Sequence, residues 1–206
     1  MNKKKRYSVL IWWLNKLSSI LPIFFWLFLV FGFEEPVMAI ITLCSALIHE
    51  AGHIEYIMIV KRIKPSIRGV LSGFRIKANA GLSYDEEIGT YLAGPTVNIF
   101  VFLLFSLLAV IFGETFAIIA QVNLATALSN LLPIEGYDGY GALMAMANKL
   151  EMGERTMRIL SHLSSALIFI FCILSLYLID RQGGGYWIFA VFFISMIKCI
   201  NSELRE

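Results

Sequence analysis

The sequence predicts an all-α polytopic membrane protein of about six transmembrane helices, with a short interfacial β-hairpin between helices 2 and 3. Three observations carry that expectation. Of the 206 residues 58% are hydrophobic and only 16% are charged, whereas a soluble domain is nearer half apolar and about a quarter charged. The apolar residues come in long blocks, several approaching the ~20 residues needed to cross a hydrocarbon core. The basic residues fall almost entirely on alternate loops, the pattern of cytoplasmic loops in membrane proteins.

The expected spans are residues 18–33, 37–60, 88–113, 115–132, 159–179 and 185–197. The first apolar stretch extends back to Ser8 if Asn15 and Lys16 are tolerated within it, and the last is short enough to require tilt or distortion. Lys3, Lys4, Lys5 and Arg6 precede the first span; Lys61, Arg62, Lys64, Arg68, Arg75 and Lys77 lie between the second and third. Lys149, Arg155 and Arg158 separate the fourth and fifth, and Lys198 and Arg205 belong to the C-terminal end. All of these share one side if both termini are cytoplasmic, leaving Arg181 opposite, beside Glu34, Glu35, Glu114 and Asp180, and Lys16 unassigned. The net charge of +2 therefore reflects topology and implies no nucleic-acid partner; the partner it implies is the lipid bilayer. The basic N-terminus and first span resemble a signal anchor without a small-residue cleavage site.

Cys44, Cys172 and Cys199 show no metal or redox spacing and are expected to be buried free thiols. There is no internal repeat, and no Pro- or Ser-rich linker leads to an appended soluble domain. A single domain, 1–206, is expected.

Inside the second span stands His49-Glu50-Ala51-Gly52-His53, an H-E-x-x-H motif. Residues i and i+4 of an α-helix lie on one face, so the two imidazoles can grip one ion. Glu50 is rotated off that direction; it can reach a water at the ion and act as general base. Charged side chains cost about 2.5–3.5 kcal/mol each at the centre of a membrane helix, so spare ones are rare. The alternative is a helix that buries polar residues for packing.

A catalytic zinc site takes three protein ligands and an open position. His162, the one remaining histidine, is expected at the interface. A carboxylate is then the third donor. Counted back from Lys61 at 1.5 Å per residue, His53 and His49 lie roughly 12 and 18 Å inside the membrane, so the donor must sit in the cytoplasmic half. Glu34, Glu35, Glu114 and Asp180 are on the wrong side, and Asp85, Glu86 and Glu87 read as a solvated run. Glu135 and Asp138 remain. Pro133 breaks or kinks the helix after the fourth span, and Gly136 and Gly139 permit a tight turn. Non-helical backbone at this depth is tolerated only where protein or a wet cavity surrounds it. Asp138 could equally be the N-cap of the helix that follows.

The HEAGH of the second span, with N-x-x-P-x-x-x-x-D-G at Asn130 to Gly139 after the fourth, resembles the site-2 protease family of intramembrane zinc metalloproteases. The most similar branch is the small six-span one, typified by the protease that processes a sporulation sigma-factor precursor. The resemblance implies one Zn2+ per chain held by His49, His53 and Asp138, Glu50 as general base, and Asn130 holding the substrate or its developing oxyanion. It also implies a transmembrane or membrane-tethered protein substrate, and a bacterial cytoplasmic membrane as the setting. Glu135, Gly136 and Tyr137 depart from relatives that are apolar and proline-containing there, which leaves Glu135 as a competing ligand. The regulatory nucleotide-sensing domains and peptide-binding domain of other relatives are not expected.

Two segments are candidate substrate contacts. Phe74-Arg75-Ile76-Lys77 alternates apolar and charged residues, a strand signal, and Ser66–Val70 can pair with it. Phe74 and Ile76 would lie on a hairpin whose edge accepts an extended substrate as an added strand; the alternative is a basic loop. Gly94, Pro95 and Asn98 form a G-P-x-x-N motif that in the family lies near the active centre, where Asn98 could orient substrate. The alternative is a notch for helix packing. Asn123, Thr126 and Asn130 share one helical face and should point into the bundle near the zinc. Two other functions compete: a non-catalytic membrane scaffold, disfavoured by the intact Glu50, and a metal or ion transporter, disfavoured because polar groups lie only toward the cytoplasmic half.

Overall fold

The computed structural model describes residues 35–63, 65–70, 73–77, 81–182 and 186–203, with short stretches at 27–28 and 31–32. The first expected span, 18–33, lies almost wholly outside the described residues, as do Lys3, Lys4, Lys5, Arg6 and Lys64. The described elements run in the order α1 (Pro36–Lys61), β1 (Ser66–Val70), β2 (Gly73–Lys77), α2 (Tyr84–Phe112), α3 (Glu114–Asn130), α4 (Asp138–Lys149), α5 (Glu154–Gln182) and α6 (Tyr186–Glu203). Among the described residues three helices are long and apolar enough to cross a membrane: Pro36–Lys61, Tyr84–Phe112 and Glu154–Arg181. The chain is thus built as a polytopic membrane protein. Its α2 leaves Phe100, Leu103, Leu107, Val110 and Ile111 exposed, a surface suited to lipid rather than water.

α1 opens with Pro36 in its first turn, where the missing N–H costs nothing, and ends as Arg62 turns left-handed with φ 54. Its buried residues include Ser45, His49, Gly52, His53 and Ile57, one stripe at helical spacing that turns toward α2 and α3. α2 begins in a capping box: the Ser83 amide donates to Glu86 Oε2 at 2.7 Å, and the Glu86 amide to Ser83 Oγ at 3.4 Å. Two ion pairs gather the helix ends at this side. Lys61, at the end of α1, meets Glu86 at 2.8 Å, and Lys149, at the end of α4, meets Asp85. Residues 85–87, expected as a solvated run, thus form the first turn of α2, with two of them paired across helices.

β1 and β2 form a two-stranded antiparallel ribbon in the register Ser66↔Lys77 to Val70↔Gly73. Phe74 and Ile76 are placed by backbone alone, opposite Gly69 and Ile67.

α3 has 17 residues, about 26 Å at 1.5 Å per residue, and stops at Asn130. Pro133 cannot continue the helix. The Tyr137 amide closes a turn on the Ile134 carbonyl at 2.9 Å, with Gly136 at φ 95, the third-position geometry that a type II turn reserves for glycine. This loop is pinned to the α5–α6 pair. Ile134 is fully buried against Ile168, Cys172 and Phe192, and the rings of Phe171, Phe192 and Tyr137 stack in series. The Glu135 amide donates to the buried Ser164 Oγ at 2.6 Å. α4 then starts at Asp138, with Tyr137 as its N-cap residue. Gly139 makes the return possible: a Cβ there would collide with the Leu131 carbonyl, so the chain passes backbone against backbone.

Candidate metal centre

His49 and His53 project from one face of α1 with their rings edge to face, centroids 4.8 Å apart. The start of α4 brings Asp138 to them. Asp138 Oδ2 stands 2.9 Å from His49 Nε2 and 3.2 Å from His53 Nε2, and the two Nε2 atoms are 3.2 Å apart. Both imidazoles are buried. Among the described residues, these three form the group of histidine, cysteine or acidic side chains close enough to hold one metal ion.

The other ring nitrogens explain the direction of the donors. His49 Nδ1 meets Asn98 Oδ1 at 2.7 Å, and His53 Nδ1 meets the Thr90 carbonyl at 2.7 Å. Each partner is an acceptor, so a metal bound at the two Nε2 atoms would leave each Nδ1 protonated and hydrogen-bonded. Three lone pairs then face one another across about 3 Å, a repulsive arrangement unless a proton or a cation lies among them. Donors bound at ~2.0–2.1 Å around a tetrahedral ion lie about 3.3 Å apart, close to the spacings here. Two imidazole nitrogens and one carboxylate oxygen also form a donor set that zinc accepts.

The group opens into a cavity of ≈ 580 Å³ that is also lined by Glu50, Asn130, Glu135 and Glu87. Among the described residues its lining includes no lysine or arginine, so its electrostatics favour a cation. Glu50 lines the cavity with the donors but is not one of the three. Asn130 Nδ2 donates to the Thr126 carbonyl at 2.9 Å, which holds the amide against α3 at the cavity wall.

No protein-family model and no curated protein matches the chain. A solved structure does. Site-2 Protease from Methanocaldococcus jannaschii aligns over 90% of this chain and 87% of that one, with a TM-score of 0.61 and 18% sequence identity. This chain has the fold of a site-2 protease.

Within that fold, His49, Glu50, His53, Asn130 and Asp138 meet at one cavity. Glu135 lines the same cavity but is not part of the donor group. His162 is exposed on α5. Gly94 and Pro95 are buried on α2, and Gly94 lies directly against the imidazoles: a Cβ there would be 2.5 Å from His53 Nε2 and 2.8 Å from His49 Cε1. The expectation that Asn98 touches substrate meets a different geometry. Asn98 is 0% exposed, and its side chain is spent on His49, Ser45 and Asn123. Phe74 and Ile76 lie on β2.

Sequence reasoning missed Thr90, Ser45 and Glu87. Ser45 was accessible, since it precedes His49 by four residues and shares its face. Thr90 acts through its backbone carbonyl, which every residue possesses, so no side-chain pattern marks it.

Proposed function

We propose that the chain is an intramembrane zinc endopeptidase of the site-2 protease type, in the small six-span branch of that family. It cleaves a membrane-embedded or membrane-tethered protein near the cytoplasmic face. The observation that carries this reading is the meeting of His49, His53 and Asp138 in one cavity with Glu50, on a fold shared with a site-2 protease. Both termini are cytoplasmic in this reading, and the setting is a bacterial cytoplasmic membrane.

His49 Nε2, His53 Nε2 and Asp138 Oδ2 would hold the ion. Zinc bound there would supply a Lewis acid and a water acidic enough to react near neutral pH. The Glu50 carboxylate takes a proton from the attacking water and returns it to the leaving amine. Asn130 spends one amide hydrogen on Thr126; its second can donate to the oxygen that gains charge as the carbonyl carbon becomes tetrahedral. A transmembrane helix hides its carbonyls in internal hydrogen bonds, so the substrate must enter unwound. In this reading the edge of β2 at Phe74 and Ile76 not paired with β1 receives it as an added strand.

Co-expression with single-span candidate substrates tests the reading. Wild-type chain is expected to shorten its substrate, and Glu50→Gln to leave it intact while retaining zinc. Equal processing by both would remove the basis for a protease.

A further inference from the structure

We propose that Glu87 on α2 is a specificity-determining residue: it selects membrane substrates that carry a lysine or arginine one or two positions from the scissile bond, on the cytoplasmic side of that bond. The inference deepens the protease reading and rests on it.

The first turn of α2 holds three acids in succession, Asp85, Glu86 and Glu87. Two of them are paired: Glu86 with Lys61 at the end of α1, and Asp85 with Lys149 at the end of α4. Successive helical residues are turned about 100° from one another, so the third acid cannot share either direction. Glu87 is half-buried and lines the cavity of the metal group. Among the described residues no lysine, arginine or histidine forms an ion pair with it.

Charge counting separates Glu87 from the metal. The cavity lining carries four carboxylates, Glu50, Glu87, Glu135 and Asp138. A divalent ion brings two positive charges, which Asp138 and Glu50 offset. Glu87 and Glu135 remain, so any attraction of the loaded cavity for a cationic side chain comes from these two. Their settings differ. Glu135 is exposed, where water and salt weaken its pull. The half-buried Glu87 is screened less.

Position along the helix fixes which part of a substrate Glu87 meets. The Thr90 carbonyl meets His53 Nδ1. Glu87 is one turn earlier on α2, about 4.5 Å toward the end of the bundle where Lys61 and Lys149 pair with its neighbours. That end is cytoplasmic in the protease reading. An extended substrate advances about 3.3 Å per residue, so a side chain one or two residues from the scissile bond comes level with Glu87. Tyr91 follows four residues later on the same helical face and also lines the cavity. Its ring packs on α4 at Gly141, where a Cβ would stand 2.4 Å from it. The ring offers the aliphatic stem of a lysine or arginine an apolar wall, and the carboxylate meets the charged head. A membrane-spanning substrate supplies such residues, because spans carry their excess of lysine and arginine at the cytoplasmic end.

The test uses the zinc-loaded full chain in phospholipid vesicles, with a single-span substrate that it cleaves. The substrate is remade with lysine, glutamine or glutamate at each of the first three positions on the cytoplasmic side of the cleaved bond. At the first or second position wild type is expected to favour lysine over glutamine by about tenfold in kcat/KM, and to disfavour glutamate by a similar factor. Both ratios shrink as salt is raised. In Glu87→Gln the lysine preference falls to about twofold or less, and in Glu87→Lys it passes to glutamate. Binding gives a readout free of turnover: combined with Glu50→Gln, Glu87→Gln raises the dissociation constant of the lysine substrate about tenfold and that of the glutamine substrate far less. A merely structural role would weaken all three substrates alike. Absence of any charge preference in wild type overturns the proposal, a result that needs no variant to fold. A preference that survives Glu87→Gln and vanishes in Glu135→Gln overturns it as well. A wild-type chain that cleaves no membrane substrate overturns the protease reading, and this proposal with it.

Discussion

Gly94 lies so close to His53 that a Cβ on it would stand 2.5 Å from the imidazole Nε2. The nitrogen concerned is one of the three candidate metal donors, and His49 Cε1 would be only 2.8 Å away. Gly94→Ala therefore pushes both ligands at once. Overpacking of this kind costs about 1–3 kcal/mol, which corresponds to a loss in zinc affinity of roughly 5- to 150-fold. Chelator competition on the purified variant measures it. An affinity equal to wild type would mean that the rings have room the structure does not show.

Asn130 separates chemistry from metal binding. It lines the cavity but is not one of the three donors. Loss of a single oxyanion donor lowers kcat by about 10²–10³-fold. Asn130→Ala is expected to show a fall of that size with unchanged zinc content. A variant that loses zinc in parallel with activity would place Asn130 in the support of the site and not in the reaction.

The hairpin prediction concerns substrate alone. Among the described residues β2 pairs with β1 alone, which leaves its other edge with backbone groups able to bind an extended peptide. Phe74→Pro removes an N–H and distorts the strand. Cleavage of a membrane substrate is expected to drop at least several-fold, with zinc content and helix content by circular dichroism unchanged. Full cleavage by the variant would remove β2 from the substrate path.

The His49–His53 part of the candidate metal group was legible because its geometry is local. His49 and His53 need only a helix, and their spacing declares one. Asp138 was harder, since it is 89 positions from His49; Pro133, Gly136 and Gly139 announced a break, but two acids followed it. The backbone decides between them: with Tyr137 as N-cap, Asp138 becomes the first helical residue and turns inward, while Glu135 is held by its amide to Ser164 and stays exposed. What the sequence hid is what depends on tertiary contact. Glu87 looked like part of a solvated run, yet once Ser83 caps α2 it faces the cavity. Asn98 resembled a substrate contact because its neighbours in the G-P-x-x-N motif are near the site; only the packing of α2 between α1 and α3 shows that it stands behind His49.

The central claim is that two distant stretches of chain hold one divalent cation within a bundle of apolar helices. Metal analysis of the purified full chain, compared with Asp138→Ala and Glu135→Gln, tests it most directly. One zinc per chain is expected in wild type and in Glu135→Gln, and little or none in Asp138→Ala. Full zinc occupancy in Asp138→Ala, or none in wild type supplied with the metal, would contradict the account.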